Sequence, residues 1–182
     1  MKKIFTLVIF VLFGFFIYLN RTSTQEKKNE AQASTTANYA STLPDFSLKD
    51  PLDNLHTKSA LNQEGIVLVV TAPIFTNETA QRNWSESLEN TKGSSKAKLV
   101  FLEDMSPSYF KTTALNEMKK EYSAQGKTIL LIDPQGELRQ KLGVAEKETV
   151  VLAYDKNGKL LKAVEGSPSI EKARSLWKQV GP

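Results

Sequence analysis

Residues 149–166 read "TVVLAYDKNGKLLKAVEG". Two apolar, β-branched runs, 149–155 and 159–166, flank the tetrapeptide "DKNG" at 155–158. Asn-Gly in that place favours a type I′ turn, so the stretch predicts a β-hairpin of two antiparallel strands. "SPSIEKARSLWKQV" (167–180) follows at once. Ser167 suits an N-cap and Pro168 the first helical position, while Ile170, Ala173 and Trp177 recur on one helix face. The chain therefore closes as strand, strand, helix.

Upstream of the hairpin, three further runs read as strands: "IVLVVT" (66–71), "AKLVFLE" (97–103) and "TILLID" (128–133). Helical patterns separate them, at 77–90 and 106–126. In the second, Ser106 suits the N-cap, Pro107 the first helical position and Gly126 the C-terminal cap region. Tyr109, Phe110, Met118 and Tyr122 repeat at helical spacing and are expected to face the core. "DPQG" (133–136) reads as a turn. Strand–helix units followed by a hairpin and a helix predict an α/β sandwich, a central mixed β-sheet flanked by helices. Its first strands run parallel through right-handed crossovers.

The N-terminus has a different composition. Lys2 and Lys3 precede seventeen uncharged residues, Ile4 to Asn20, and Arg21 closes the run. This is the layout of a secretory signal, and the run is just long enough to span a bilayer as an N-terminal hydrophobic helix. Two readings stay open: a signal anchor held in the membrane through residues 4–19, or a cleaved signal peptide. The lysines favour a cytoplasmic N-terminus. Both readings predict export, either as a single-pass inner (cytoplasmic) membrane protein with an extracytoplasmic domain or as a periplasmic or secreted one. The expected organisation is thus 1–20 signal peptide or signal anchor, 21–42 a disordered polar tether rich in Thr, Ser, Ala and Asn, and 43–182 the folded domain.

Charge and composition narrow the chemistry. The net charge of +4 arises around the apolar run, because Lys2, Lys3 and Arg21 belong to the 24 basic residues; residues 22–182 hold 21 basic against 20 acidic side chains. Such a balance does not predict a nucleic-acid surface. There is no cysteine. That removes disulfides, thiolate nucleophiles, cysteine-bound metals and the lipid-modified cysteine of a lipoprotein. The one histidine, His56, cannot build a His-rich metal site within one chain. No metal or cofactor is expected.

These segments carry a family likeness. "LPDFSLKDPLDNLHTKSALNQEGIVLVVTAP" (43–73), "LLIDPQGELRQKLGV" (130–144) and the closing hairpin together resemble the redoxin branch of the thioredoxin-like superfamily. That branch holds exported thiol-disulfide oxidoreductases and peroxiredoxins. The likeness covers about 43–180 and implies a thioredoxin-like sandwich. It also locates the positions where relatives keep their redox groups. Aligned from Gly65, the two active-site cysteines fall on Asn77 and Ala80; a peroxiredoxin-style placement falls on Glu78 or Thr79. The family's cis-proline position, counted back from Asp155, is Thr149. A cis bond before a non-proline residue costs about 2.5–4 kcal/mol, so this loop is expected to be trans. Thiol–disulfide exchange needs a thiolate, and neither a hydroxyl nor an amide replaces it.

No catalytic residue emerges. His56, beside Thr57 and Lys58, reads as a surface loop histidine rather than a general base. Asp133 and Asp155 read as caps of the turns that follow them. The Glu103–Asp104 pair reads as a complement to a helix dipole rather than a catalytic carboxylate pair. Trp84 and Trp177 read as half-buried core residues. The degenerate active-site positions remain as a candidate binding surface: Phe75, Thr76, Asn77, Thr79, Ala80 and Thr149. Backbone N–H groups at a helix N-terminus there could hold an anion or a peptide carbonyl. The function this predicts is a redox-inactive, membrane-anchored domain that binds an envelope protein or peptide. The alternatives are an enzyme of another class rebuilt on the scaffold, centred on His56 or acidic residues, and an accessory structural domain.

Overall fold

The computed structural model describes residues 38–72, 75–109, 111–125, 128–146 and 148–181, and gives only the backbone of 75–78, 121 and 123–125. The expected N-terminal hydrophobic helix and most of the tether lie outside the described residues. Among the described residues no helix is long and apolar enough to cross a membrane.

Seven strands build one mixed sheet. They are β1 (Ser47–Lys49), β2 (Leu55–Thr57), β3 (Ile66–Thr71), β4 (Lys98–Asp104), β5 (Ile129–Asp133), β6 (Val150–Tyr154) and β7 (Leu160–Glu165). The spatial order is β2-β1-β5-β4-β3-β6-β7. β3, β4 and β5 pair in parallel, and β6 and β7 add antiparallel strands on one side. β1 and β2 form a short antiparallel pair on the other side, which the hydrophobic pattern alone did not reveal. The five expected strands all form, with bounds that differ by no more than one residue. β3 is buried at every position, because it is an interior strand of the sheet with both faces covered.

The helices are α1 (Lys58–Leu61), α2 (Phe75–Thr91), α3 (Lys111–Gln125), α4 (Glu137–Lys141) and α5 (Ile170–Val180). Alternation along the strands sorts the core into two faces. Val67, Val69, Leu99, Phe101, Val151 and Ala153 pack with Trp84 and Leu88 of α2 and with Ala173, Leu176 and Trp177 of α5. Ile66, Leu68, Val70, Val100, Leu102 and Leu152 face the other way, with Leu138 and Leu142 beside them. Both tryptophans are fully buried rather than half-buried. Each spends its indole N–H on a backbone carbonyl, Trp84 on Gly166 (3.1 Å) and Trp177 on Leu88 (2.9 Å). Those bonds satisfy the one polar atom that would otherwise resist burial.

Several local expectations are corrected. The hairpin turn is not type I′. Asn157 does not have a positive φ, whereas Gly158 does, at +80°. The Gly158 N–H donates to the Asp155 carbonyl, and the Asp155 carboxylate accepts the N–H groups of Asn157 and Lys159, both at 2.8 Å. Asp155 thereby holds a type I turn closed by a left-handed glycine, the other common hairpin solution. α3 starts at Lys111, not after Ser106. The Asp104 carboxylate captures the Ser106 N–H at 2.8 Å and bends the chain before the helix can begin. Tyr109 then falls in that turn and is 97% exposed. α5 is capped by Ser169, whose Oγ accepts the Lys172 N–H at 3.2 Å, so Ser167 and Pro168 precede the helix. Ile170 is 39% exposed, and Leu176 takes the core position expected of it. α4 occupies the stretch after "DPQG", where only a turn was expected.

Candidate functional site

β3, an interior strand of the sheet, ends at Thr71, and α2 begins at Phe75. α2 starts two residues earlier than expected, so Thr76 lies inside its first turn rather than at its cap. Asn77 is also in that turn. Nothing further is described of the side chains of Phe75, Thr76 and Asn77. Thr79 is exposed and Ala80 half-buried, on the following turn.

A cleft of about 590 Å³ opens beside this end of α2. Thr79, Ala80 and Asn83 of α2 form one wall, and Glu148, Thr149 and Val150, at the entry to β6, form the second. Glu165 to Pro168, at the exit from β7, form the third. Thr79, Ala80 and Thr149 thus share one cleft although about seventy residues separate them in the chain. The antiparallel pairing of β6 with β3 brings them together: Val150 is the partner of Val70, so Thr149 stands just beyond the last register pair, beside the start of α2. All peptide bonds among the described residues are trans, Thr149 included. Gly166, at φ +72°, lets the chain turn from β7 toward α5. Trp84 fixes the Gly166 carbonyl from below, and Lys172 Nζ donates to the carbonyls of Glu165 (3.2 Å) and Ser167 (2.8 Å). The cleft rim is therefore a braced turn.

From Thr149 in the cleft wall a row of polar groups runs across the sheet. Thr71 and Glu103 are register partners on β3 and β4. By alternation both face α2 and α5, and so does Thr149 on the far side of Thr71. Glu103 is 1% exposed and takes one hydrogen bond, from Gln81 Nε2 to Oε2 at 2.9 Å. Glu103 Oε1, Thr71 Oγ1 and Thr149 Oγ1 have no hydrogen-bond partner among the described residues. A buried polar group left unpaired costs about 1–3 kcal/mol. Burial pushes the Glu103 carboxyl up to about 8; the Gln81 bond opposes the shift and the nearby Asp104 adds to it. The side chain is thus neutral at pH 7 and can donate a proton to an acceptor.

Other groups singled out in the sequence lie elsewhere. His56 is on β2, not in a loop, and its Nε2 sits 3.1 Å from Asp50 Oδ2. Four strands separate β2 from β6, so His56 is remote from the cleft. Burial would raise the Asp50 carboxyl, but hydrogen bonds from the Asn54 side chain, His56 and the N–H groups of Asn54 and Leu52 outweigh it and hold the carboxyl below its ordinary range. The Asp133 carboxylate accepts the N–H groups of Glu137, Leu138 and Arg139 and so caps α4 rather than its turn, which the Gly136 N–H closes on the Asp133 carbonyl at 3.4 Å. Among the described residues no group of three or more acidic or histidine side chains is placed to hold a metal ion. The sequence did not single out Asn83, Glu148, Glu165 or Gly166. Of these only Gly166, in a Gly-Ser-Pro turn, had a local signal; the others acquire significance from the strand order.

No protein-family model matches this chain, and no curated protein matches it by sequence. Solved structures do. The exposed lipoprotein thioredoxin Etrx1 of Streptococcus pneumoniae aligns over 74% of this chain and 98% of its own, with TM-score 0.56 and 19% identity. StoA of Bacillus subtilis aligns over 76% and 99%, with TM-score 0.58 and 13% identity. A secreted disulfide oxidoreductase of Mycobacterium tuberculosis, homologous to DsbE of E. coli, aligns over 73% and 94%, with TM-score 0.54 and 12% identity. The fold is that of the thioredoxin-like redoxin proteins, carried by a chain without cysteine.

Proposed function

We propose that this chain is an exported, membrane-anchored thioredoxin-like protein that holds an extended protein or peptide segment of the cell envelope and performs no thiol redox chemistry. The observation that carries the reading is the cleft between α2 and the entry to β6. Two positions that correspond to redox groups in the resembling family, Ala80 and Thr149, line it, and neither is a thiol or a proline. Its volume lies in the range of small-ligand sites, wide enough for side chains of an extended segment. Thr149 stands beyond the last register pair with β3, where a bound strand would find room to run. Phe75, Thr76 and Asn77, in the first turn of α2, are further positions proposed for this binding surface.

Export draws support from the N-terminal apolar run and from the neighbours, one described as an exposed lipoprotein and one as secreted. With no cysteine to carry a lipid, residues 4–19 would supply the anchor. Two measurements test the reading. Insulin reduction by dithiothreitol should proceed no faster with the protein than without it; catalysed turnover would refute redox inactivity. A panel of short extended peptides should bind the full-length protein, and Thr79→Trp, at an exposed position of the cleft wall, should abolish that binding while thermal unfolding stays unchanged. Binding that survives Thr79→Trp would place the partner elsewhere.

A further inference from the structure

The cleft has a sign. Glu148 and Glu165 are the only charged residues among its described lining residues. The rest of the chain does not share this bias, since residues 22–182 are nearly neutral. Both carboxylates are exposed.

The two carboxylates line one cleft, and Glu165 is held in place there. The Tyr39 hydroxyl donates to Glu165 Oε1. Its phenol is held well above the ordinary tyrosine range, first by burial, then by its bond to Glu165 and by the charges of Glu165 and Glu148. One hydroxyl therefore feels both carboxylates from the cleft rim. Tyr39 orients Glu165 without neutralising it, because a neutral hydroxyl supplies a hydrogen bond and no charge. Lys172 stands at this turn, and its hydrogen bonds go to the carbonyls of Glu165 and Ser167.

We infer that the cleft selects an extended peptide segment that presents a lysine or arginine side chain to Glu148 and Glu165. The inference rests on the reading of the cleft as a docking groove and adds the chemistry of its occupant. A cation entering there meets two carboxylates, one of them already oriented by Tyr39, so less ordering is left to the moment of binding. The apolar stem of the side chain can lie along Ala80 while its charged end reaches the rim. A segment bearing aspartate or glutamate at the same place meets like charge.

The test uses the full-length protein and three fluorescent extended peptides that differ only in a central lysine, glutamine or glutamate. The lysine peptide should bind about tenfold tighter than the glutamine peptide, the amount two partly exposed ion pairs supply, and the glutamate peptide weakest. The preference should shrink in high salt. It should fall below about twofold in the double variant Glu148→Gln, Glu165→Gln, whose exposed positions leave folding intact. Thr79→Lys, which places a cation of the protein's own in the cleft, should weaken the lysine peptide selectively. Equal binding of all three peptides would overturn the charge selection and leave the groove standing. A lysine preference that persists in the double variant would overturn it as well. Spermidine binding as tightly as the lysine peptide would overturn the peptide as occupant. No binding by any peptide would remove the groove and this inference together.

Discussion

Glu103 and Asp104 are consecutive residues, both buried at the end of β4, and their surroundings differ. Alternation turns Asp104 toward Arg139 of α4, whose Nε lies 2.5 Å from its Oδ2, and the Ser106 N–H binds its Oδ1 at 2.8 Å. Beside it, across the β4–β5 ladder, Asp133 accepts three backbone N–H groups. Arg139 Nη1 completes this side by donating to the Val144 carbonyl at 2.7 Å. Glu103 faces the opposite side, where one amide binds one of its oxygens. The other oxygen and the hydroxyls of Thr71 and Thr149 go unpaired among the described residues. One face of the strand ends is thus cross-braced by a buried ion pair and capped turns. The other is left electrostatically incomplete beside an open cleft. Incomplete burial is costly, and such sites are where folds hold groups in reserve for function.

Breaking the braced side should give the largest effect. Arg139→Met removes the counter-ion and strands a buried carboxylate, a loss of about 3–5 kcal/mol in urea unfolding. A loss below about 1 kcal/mol would mean that the Asp104–Arg139 pair does not brace the fold.

The second change reverses the sign. The Glu103 carboxyl titrates at about 8 in the folded state against an ordinary 4.5, so the folded protein keeps a proton that the unfolded chain releases above pH 4.5. Stability contributed by this group is therefore full below pH 4.5, falls as pH rises, and levels off above about 8. Glu103→Gln, which mimics the neutral acid, should match the wild type near pH 4.5. It should exceed it by a few kcal/mol, on the order of the full shift, above pH 8. Denaturant unfolding at a series of pH values checks this; a constant difference across the range would place the titration elsewhere.

A smaller gain should come from Thr71→Val. It removes an unpaired buried hydroxyl and keeps the side-chain shape, for a stabilisation of about 1 kcal/mol. Destabilisation would reveal a bound water that the hydroxyl serves. The smallest effect on stability belongs to Thr79→Trp, within about 0.5 kcal/mol of the wild type, although it should close the cleft to peptides.

Much of the fold was legible because periodicity reports burial. β3, β4, β5, β6 and β7 stand out as apolar runs of strand length, and Gly158 marks the hairpin. β1 and β2 escaped because three-residue strands, half exposed, carry too little alternation to register. The starts of α3 and α5 were misread because Ser106-Pro107 and Ser167-Pro168 look like helix entries in sequence. Asp104 claims the first of these for a turn, and packing of Leu176 and Trp177 sets the register of the second. In the candidate site, Thr79, Ala80 and Thr149 were reached by counting along a family pattern. Glu148 and Glu165 were not, since an exposed glutamate has no signature of its own.

By itself the sequence determined that this chain supplies no thiolate, that its N-terminus is a long apolar run flanked by basic residues, and that its strands and helices follow a redoxin-like order. Those properties are compositional or local, so they survive without knowledge of which segments touch. Only the tertiary structure decided that Glu103 and Asp104 part to opposite faces, that Thr71, Glu103 and Thr149 form one row, and that two glutamates overlook the same cleft. Each of these depends on strand order and register. A sheet makes neighbours of residues far apart in the chain, and the two-residue period sends chain neighbours to opposite sides.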